Sequence, residues 1–262
     1  MLFSEVLSSL QRDGDQWAAR IPADWMIGRT AFGGLQAAFA ARAMREVLPD
    51  TTLPLRTLQC TFLAPVSEGA LTIKAQVLRT GKNAVHAQAR LIAGDQVLAL
   101  VIGVFGAARE SSVLRLPAQQ PVESAKPIEF RYIPGVTPVF TQHFRARWLL
   151  GGLPYSNATL PRNVVEVGLD ETGRANDGHV LALADFIPPV AMSFLKKPAA
   201  GGTLIWMMEF FSDRHDHLPL SGWRVDADLV AAVGGYTSQS VMLWGPGGEP
   251  VAISRQSMVI FS

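Results

Sequence analysis

Three polar side chains stand where a plain hydrophobic core has no use for them. Asp185 precedes a segment with helical character. Thr203 opens a strand. Gln256 lies in the last strand of the chain, on a face shared with Ala252, Ser254, Met258 and Ile260. A carboxylate can take up a proton, a hydroxyl donates and accepts, and a carboxamide offers two donors and an acceptor. Such a set can move a proton and hydrogen-bond a reactant. Each residue also has a plain structural use: Asp caps helix starts, Thr suits strands, and Gln can bond across a sheet. A buried glutamine without partners costs about 1–3 kcal/mol, so Gln256 demands neighbours in either case.

Other chemistries lack their signatures. There is no G-x-S-x-G elbow, no G-x-G-x-x-G and no P-loop in the sequence. The single cysteine, Cys60, excludes an internal disulfide and a Cys-based zinc cluster, and on an apolar strand it belongs to the core. The run Arg214-His215-Asp216-His217 has metal-binding residue types, but it falls between two strands beside Pro219 and is expected as a solvated turn. His86, His143 and His179 are scattered without ligand spacing. No metal or cofactor is therefore expected. A net charge of +1 gives no footprint for nucleic acid. The start of the chain has no basic region followed by an apolar one, so no signal peptide is read there. The longest apolar stretch, 97–105, is too short to span a bilayer. The expectation is a cytoplasmic protein with no membrane span.

The elements that must position these residues come in two similar sets. Residues 54–106 contain four strand-like runs, near 54–64, 69–80, 83–93 and 96–106. Residues 203–261 repeat the plan: an opening strand, a hairpin broken at Gly235 as the first is at Gly81, a turn at Gly248 as at Gly94, and an apolar closing strand. A helix precedes each set. In the first, Gly33-Gly34 opens a helix with Leu35, Phe39, Ala43 and Val47 on one face, stopped by Pro49. In the second, the segment after Asp185 is predicted as helix, with Pro188 and Pro189 in its first turn and Asp185 as its N-cap. A short helix is also predicted near 2–10. The proline-rich stretch 109–138 is predicted as an extended linker, and 151–180 as a long irregular excursion. The division is thus 1–108, linker 109–138, and 139–262. In the register that sets Gly94 against Gly248, Ile102 falls opposite Gln256, so the repeat is chemically asymmetric.

In this order and spacing, Gly33-Gly34, Ala184-Asp185, Gly202-Thr203 and Val251-Ala252 with Gln256 resemble the double hotdog acyl-CoA thioesterases, the type II or choloyl-CoA-like group. The resemblance covers nearly the whole chain. It implies an α+β fold of two hotdog units, each a curved antiparallel sheet wrapping a helix. It implies hydrolysis of acyl-CoA to free acid and CoA, as in lipid metabolism, by a water held by Asp185, Thr203 and Gln256. Backbone N–H groups at Gly33 and Gly34 would meet the thioester carbonyl. A homodimer or higher homo-oligomer is expected. The run Leu204–Phe211 is more apolar than in such relatives, which leaves the acyl preference open. Two other functions fit a hotdog pocket: an enoyl-CoA hydratase, which wants an Asp–His pair, and a non-catalytic acyl-CoA or lipid-binding protein.

Overall fold

The computed structural model describes residues 1–123 and 126–261. Ser124 and Ala125, within the predicted linker, and Ser262, at the end of the predicted second unit, lie outside the described residues.

Helix α1 (Phe3–Ser8) leads into a hairpin of β1 (Gln11–Asp13) and β2 (Gln16–Ile21), then a small ribbon of β3 (Met26–Ile27) and β4 (Thr30–Ala31). Helix α2 follows at Gly33–Glu46. The first set of strands is β5 (Leu55–Phe62), β6 (Gly69–Thr80), β7 (Ala84–Ala93) and β8 (Gln96–Gly106), close to the predicted spans. After a stretch of irregular chain come β9 (Ile128–Phe130), β10 (Phe144–Leu150), β11 (Arg162–Leu169) and helix α3 (Asp177–Asp185). The second set is β12 (Ala200–Phe210), β13 (Trp223–Val233), β14 (Tyr236–Trp244) and β15 (Pro250–Phe261).

The sheets of the two sets are joined edge to edge and are not separate. The strands form one continuous 13-stranded sheet in the order β1-β2-β6-β7-β8-β5-β12-β15-β14-β13-β11-β10-β9, with every neighbouring pair antiparallel. The order β6-β7-β8-β5 is mirrored by β13-β14-β15-β12, so the repeat is visible in the topology. Strands β5 and β12 would each end a sheet if the halves stood apart. They pair instead, from Ile205 opposite Thr61 to Glu209 opposite Thr57. That removes two edges with unpaired N–H and C=O groups.

Two segments differ from their predicted character. Inside the proline-rich stretch, β9 joins the sheet edge through β10. The predicted excursion contains β11 and the first turn of α3. Its Gly and Asn residues punctuate these elements and do not dissolve them: Asn176 is the N-cap of α3, and its side chain accepts from the His179 N–H.

Both helices lie against one face of the sheet. Alanines at 37, 38, 40, 41 and 43 of α2 are buried, which lets neighbouring backbone come close. The two helices run antiparallel. Arg45 near the end of α2 pairs with Asp177 at the start of α3, while the start of α2 meets the end of α3. A Cβ on Gly34 would fall 2.9 Å from the Ala182 Cα, so only glycine permits this crossing. An aromatic cluster holds the same junction. Phe32, just before α2, stacks on Phe140 at 4.2 Å, and Phe186, just after α3, packs on Phe144 at 4.9 Å.

Candidate active site

Asp185 is not the N-cap that the prolines suggested. It is the last residue of α3, and the segment after it forms only a short 3-10 turn, Val190–Phe194. Asn176 supplies the cap nine residues earlier, so the helix has run its course before the proline pair that stops it. The end of a helix repels a carboxylate, because the partial charge there is negative. The positive end that Asp185 meets belongs to α2, in the other half of the chain. A Cβ on Gly33 would lie 2.7 Å from Asp185 Oδ2. The bare glycine therefore allows the carboxyl to sit at the mouth of that helix. Phe32, the N-cap residue of α2, makes no side-chain cap, so the first N–H groups there remain unclaimed by a capping side chain.

Gln256 reaches the same carboxyl from the sheet. Its Nε2 donates to Asp185 Oδ1 at 2.8 Å. Its Oε1 accepts from Gln239 Nε2 at 2.8 Å, and Gln239 Oε1 accepts from the Val190 backbone N–H at 2.9 Å. Gln239 on β14 is directly opposite Gln256, Trp206 on β12 is opposite it on the other side, and Cys60 on β5 is opposite Trp206. The four side chains form one buried row across the sheet, beneath the helix junction.

Burial is the main influence on Asp185 and pushes its pKa up to about 7. The Gly34 backbone N–H and the Gln256 amide oppose this by favouring the charged form. The Gly34 N–H faces the carboxyl without closing a hydrogen bond of normal geometry. The residue as a whole is only partly covered, so the carboxyl is packed round by protein yet close to the surface. Cys60 is fully buried. Burial first, and the nearby Asp185 second, raise its thiol pKa, which leaves it a protonated core group and no nucleophile.

Thr203 is half-buried at the rim, beside the exposed Gly202. It pairs in register with Met258, two residues along from Gln256, so it sits diagonally from that amide on the same sheet face. Among the described residues its hydroxyl makes no hydrogen bond to Asp185 or Gln256. Asp185, Gln256, Gly33 and Gly34 therefore meet at one point, and Thr203 stands beside it.

Ile102 is not the counterpart of Gln256. Along β8 the helix-facing residues are Ala99, Val101, Gly103 and Phe105, and Ile102 faces the other way. Each half carries a bulge near this point, at Leu55/Thr57 and at Thr203/Ile205. Matching the bulges sets Gly103 at the place of Gln256 and Leu55 at that of Thr203. The one-residue slip comes from aligning the glycines of two turns that differ in length, residues 94–95 between β7 and β8 and residues 245–249 between β14 and β15. The chemical asymmetry remains: the first half is apolar where the second is polar.

Two other clusters were open to a catalytic reading. Ser4, His179 and Glu171 lie within 3.2 Å of one another, like a nucleophile, base and acid. However, His179 Nδ1 accepts the Asn176 N–H, so the ring proton is on Nε2 and the imidazole cannot take one from Ser4. The cluster ties α1 to the start of α3. In the segment predicted as a solvated turn, Arg214 and Asp216 are exposed and paired with each other. His215 departs from that expectation: it is buried and faces Asp177 at 3.6 Å.

Solved structures share this architecture over the full chain. A hot dog fold protein from Alicyclobacillus acidocaldarius is 21% identical with a TM-score of 0.89, over 99% of this chain and 98% of its own. A thioesterase II, described as putative, from Thermobifida fusca is 17% identical with a TM-score of 0.82, over 99% and 97%. An acyl-CoA thioesterase II from Mycobacterium marinum is 17% identical with a TM-score of 0.71, over 99% and 98%. At these identities the likeness establishes the fold, which is the hotdog fold. A search of curated protein sequences returns no match. Family models are more specific: the acyl-CoA thioesterase N-terminal domain matches residues 21–106 and the C-terminal domain matches residues 116–260. Between them they take in both the glycines at the start of α2 and the Asp185–Gln256 pair, and the chain belongs to the acyl-CoA thioesterase family.

Proposed function

We propose that this chain hydrolyses acyl-CoA to a free acid and CoA, with Asp185 as general base. The observation that carries the reading is the Asp185 carboxyl, bonded by Gln256 at 2.8 Å, set at the open end of α2 and shifted to a pKa of about 7. A base works best with a pKa near the working pH, and an ordinary aspartate at ~3.9 is too weak. A water between Asp185 and the Thr203 hydroxyl would give its proton to the carboxylate as its oxygen attacks the thioester carbon. The carbonyl becomes an oxyanion at the N–H groups of Gly33 and Gly34, where donors and the helix dipole favour negative charge. As the C–S bond breaks, the electron pair leaves on sulfur, and the protonated Asp185 can return its proton to the CoA thiolate. A thioester is reactive enough that no covalent enzyme intermediate is needed.

Each half is read as one hotdog unit, 1–108 and 139–262, with 109–138 crossing between them. The acyl chain would lie between helix and sheet near Phe62 and Met258. A homo-oligomer fits the exposed apolar side chains Leu204, Ile205 and Met207 on the outer face of β12. The hydratase reading lacks its partner: among the described residues no histidine hydrogen-bonds Asp185. The test is thiol release across an acyl-CoA panel, with Asp185→Asn as the control. Loss of about a hundredfold in kcat with an unchanged fold is expected. Equal turnover by that variant would remove Asp185 from the chemistry. Tight acyl-CoA binding with no thiol released by the parent protein would favour a carrier.

A further inference from the structure

The order of donors in the row beneath Asp185 has a definite starting point. A glutamine amide can be turned over without changing its shape, so its direction is set by its partners. A backbone N–H can only donate. The Val190 N–H must therefore meet an oxygen, and it meets Gln239 Oε1 at 2.9 Å. This leaves the Gln239 NH2 facing Gln256, which must answer with its oxygen, at 2.8 Å. Only then does the Gln256 NH2 face Asp185, again at 2.8 Å. Gln239 is fully buried and Gln256 nearly so, and no water is needed to satisfy the links.

We propose that Gln239, anchored by the Val190 N–H, is a positioning residue that decides which end of the Gln256 amide meets Asp185. Turned over, Gln256 would offer its oxygen, which can bond only the protonated acid. As held, it offers N–H and so favours the carboxylate that can act as base. Its effect on turnover rests on the role proposed for Asp185, while its effect on ionisation does not. No other charged group competes for this control among the described residues. Strand β5 presents Cys60, whose thiol stays protonated. Helix α2 presents backbone N–H groups, β12 presents Trp206, and β14 and β15 present the two glutamines.

The test is the titration of the Asp185 carboxyl, read by difference infrared against Asp185→Asn, together with the pH profile of kcat. Gln239→Met keeps length and neutrality but removes both links. Its Asp185 midpoint, and the acidic limb of kcat, are expected to rise by roughly one pH unit, with KM within about twofold. Since Gln239 acts through Gln256, adding Q239M to Gln256→Met should move nothing further. A Q239M protein that titrates like the parent would overturn the proposal, as would a shift repeated in full on the Q256M background. If Q239M does not fold, Val190→Pro removes the anchor alone. Proline suits this first position of a 3-10 turn, and Pro189 before it already has φ −50 and ψ 123. The same upward move is expected there, and a parental midpoint would count against the proposal. An active D185N protein sinks the catalytic reading but leaves the infrared result standing as the test of the relay.

Discussion

At the scale of single residues, the site divides its labour by what each side chain touches. Asp185 and Gln256 hold each other, and Gln256 is held in turn by Gln239. Among the described residues Thr203 has no such tie, and it stands half-buried at the rim, where the proposed reaction places its hydroxyl against the attacking water. Removing that hydroxyl should therefore cost activity and little else. For Thr203→Val, kcat is expected to fall by about tenfold, with a melting temperature close to the parent's, since valine fits a strand as well as threonine does. Thermal melting and thiol release on one preparation check both halves of this claim. Gln256 was legible because a long polar side chain interrupts a face of small and apolar residues, Ala252, Ser254, Met258 and Ile260. Gln239 carries the same signal, since Thr237, Gln239, Val241 and Leu243 share the buried face of β14. The signal is weaker there because Gln239 lies close to the hairpin at Gly235, where polar residues are ordinary.

At the scale of elements, the site is a junction between two helices, and two adjacent glycines serve it differently. A methyl on Gly33 would come 2.7 Å from Asp185 Oδ2, and a methyl on Gly34 would come 2.9 Å from the Ala182 backbone. A carboxyl can swing away; a helix backbone cannot without moving the helix. Gly33→Ala is therefore expected to lower kcat about tenfold or more at modest cost in stability, because the displaced carboxyl loses Gln256. Gly34→Ala is expected to cost about 1–3 kcal/mol of stability by forcing α2 and α3 apart. Denaturant melts and kinetics on the pair separate the two roles, and equal losses of stability would refute the distinction. The strands of both sets were legible because alternation and glycine turns mark them directly. The end of α3 was not. Pro188 and Pro189 suit a helix start as well as a helix stop, and the deciding cap, Asn176, lies in a stretch whose glycines and aspartates resemble a loop.

At the scale of the whole molecule, Asp185 joins the two halves, and its burial makes that joint sensitive to pH. The carboxyl ends a helix of the second half and faces the helix start of the first, above a sheet that is continuous across β5 and β12. Its pKa is about 7 in the folded protein and ~3.9 in an unfolded chain. The folded state thus binds the proton more tightly. Between these values it holds more protons than the unfolded state, so stability must fall as pH rises through this window. The contribution of this one group is fully present below about pH 4 and lost above about pH 7. Its size is at most about 4 kcal/mol, and less to the extent that water reaches the carboxyl. Other carboxylates act oppositely at the acid end: Glu171, held low by its bonds to His179 and Ser4 against the effect of burial, loses stabilisation on protonation. The difference between parent and Asp185→Asn isolates the one term. Urea melts at intervals from pH 4 to pH 8 should show the advantage of the variant growing with pH and levelling off above about 7. A difference that stays flat across that range would mean the carboxyl titrates normally, and the base proposed for the reaction would then have no special environment to act in.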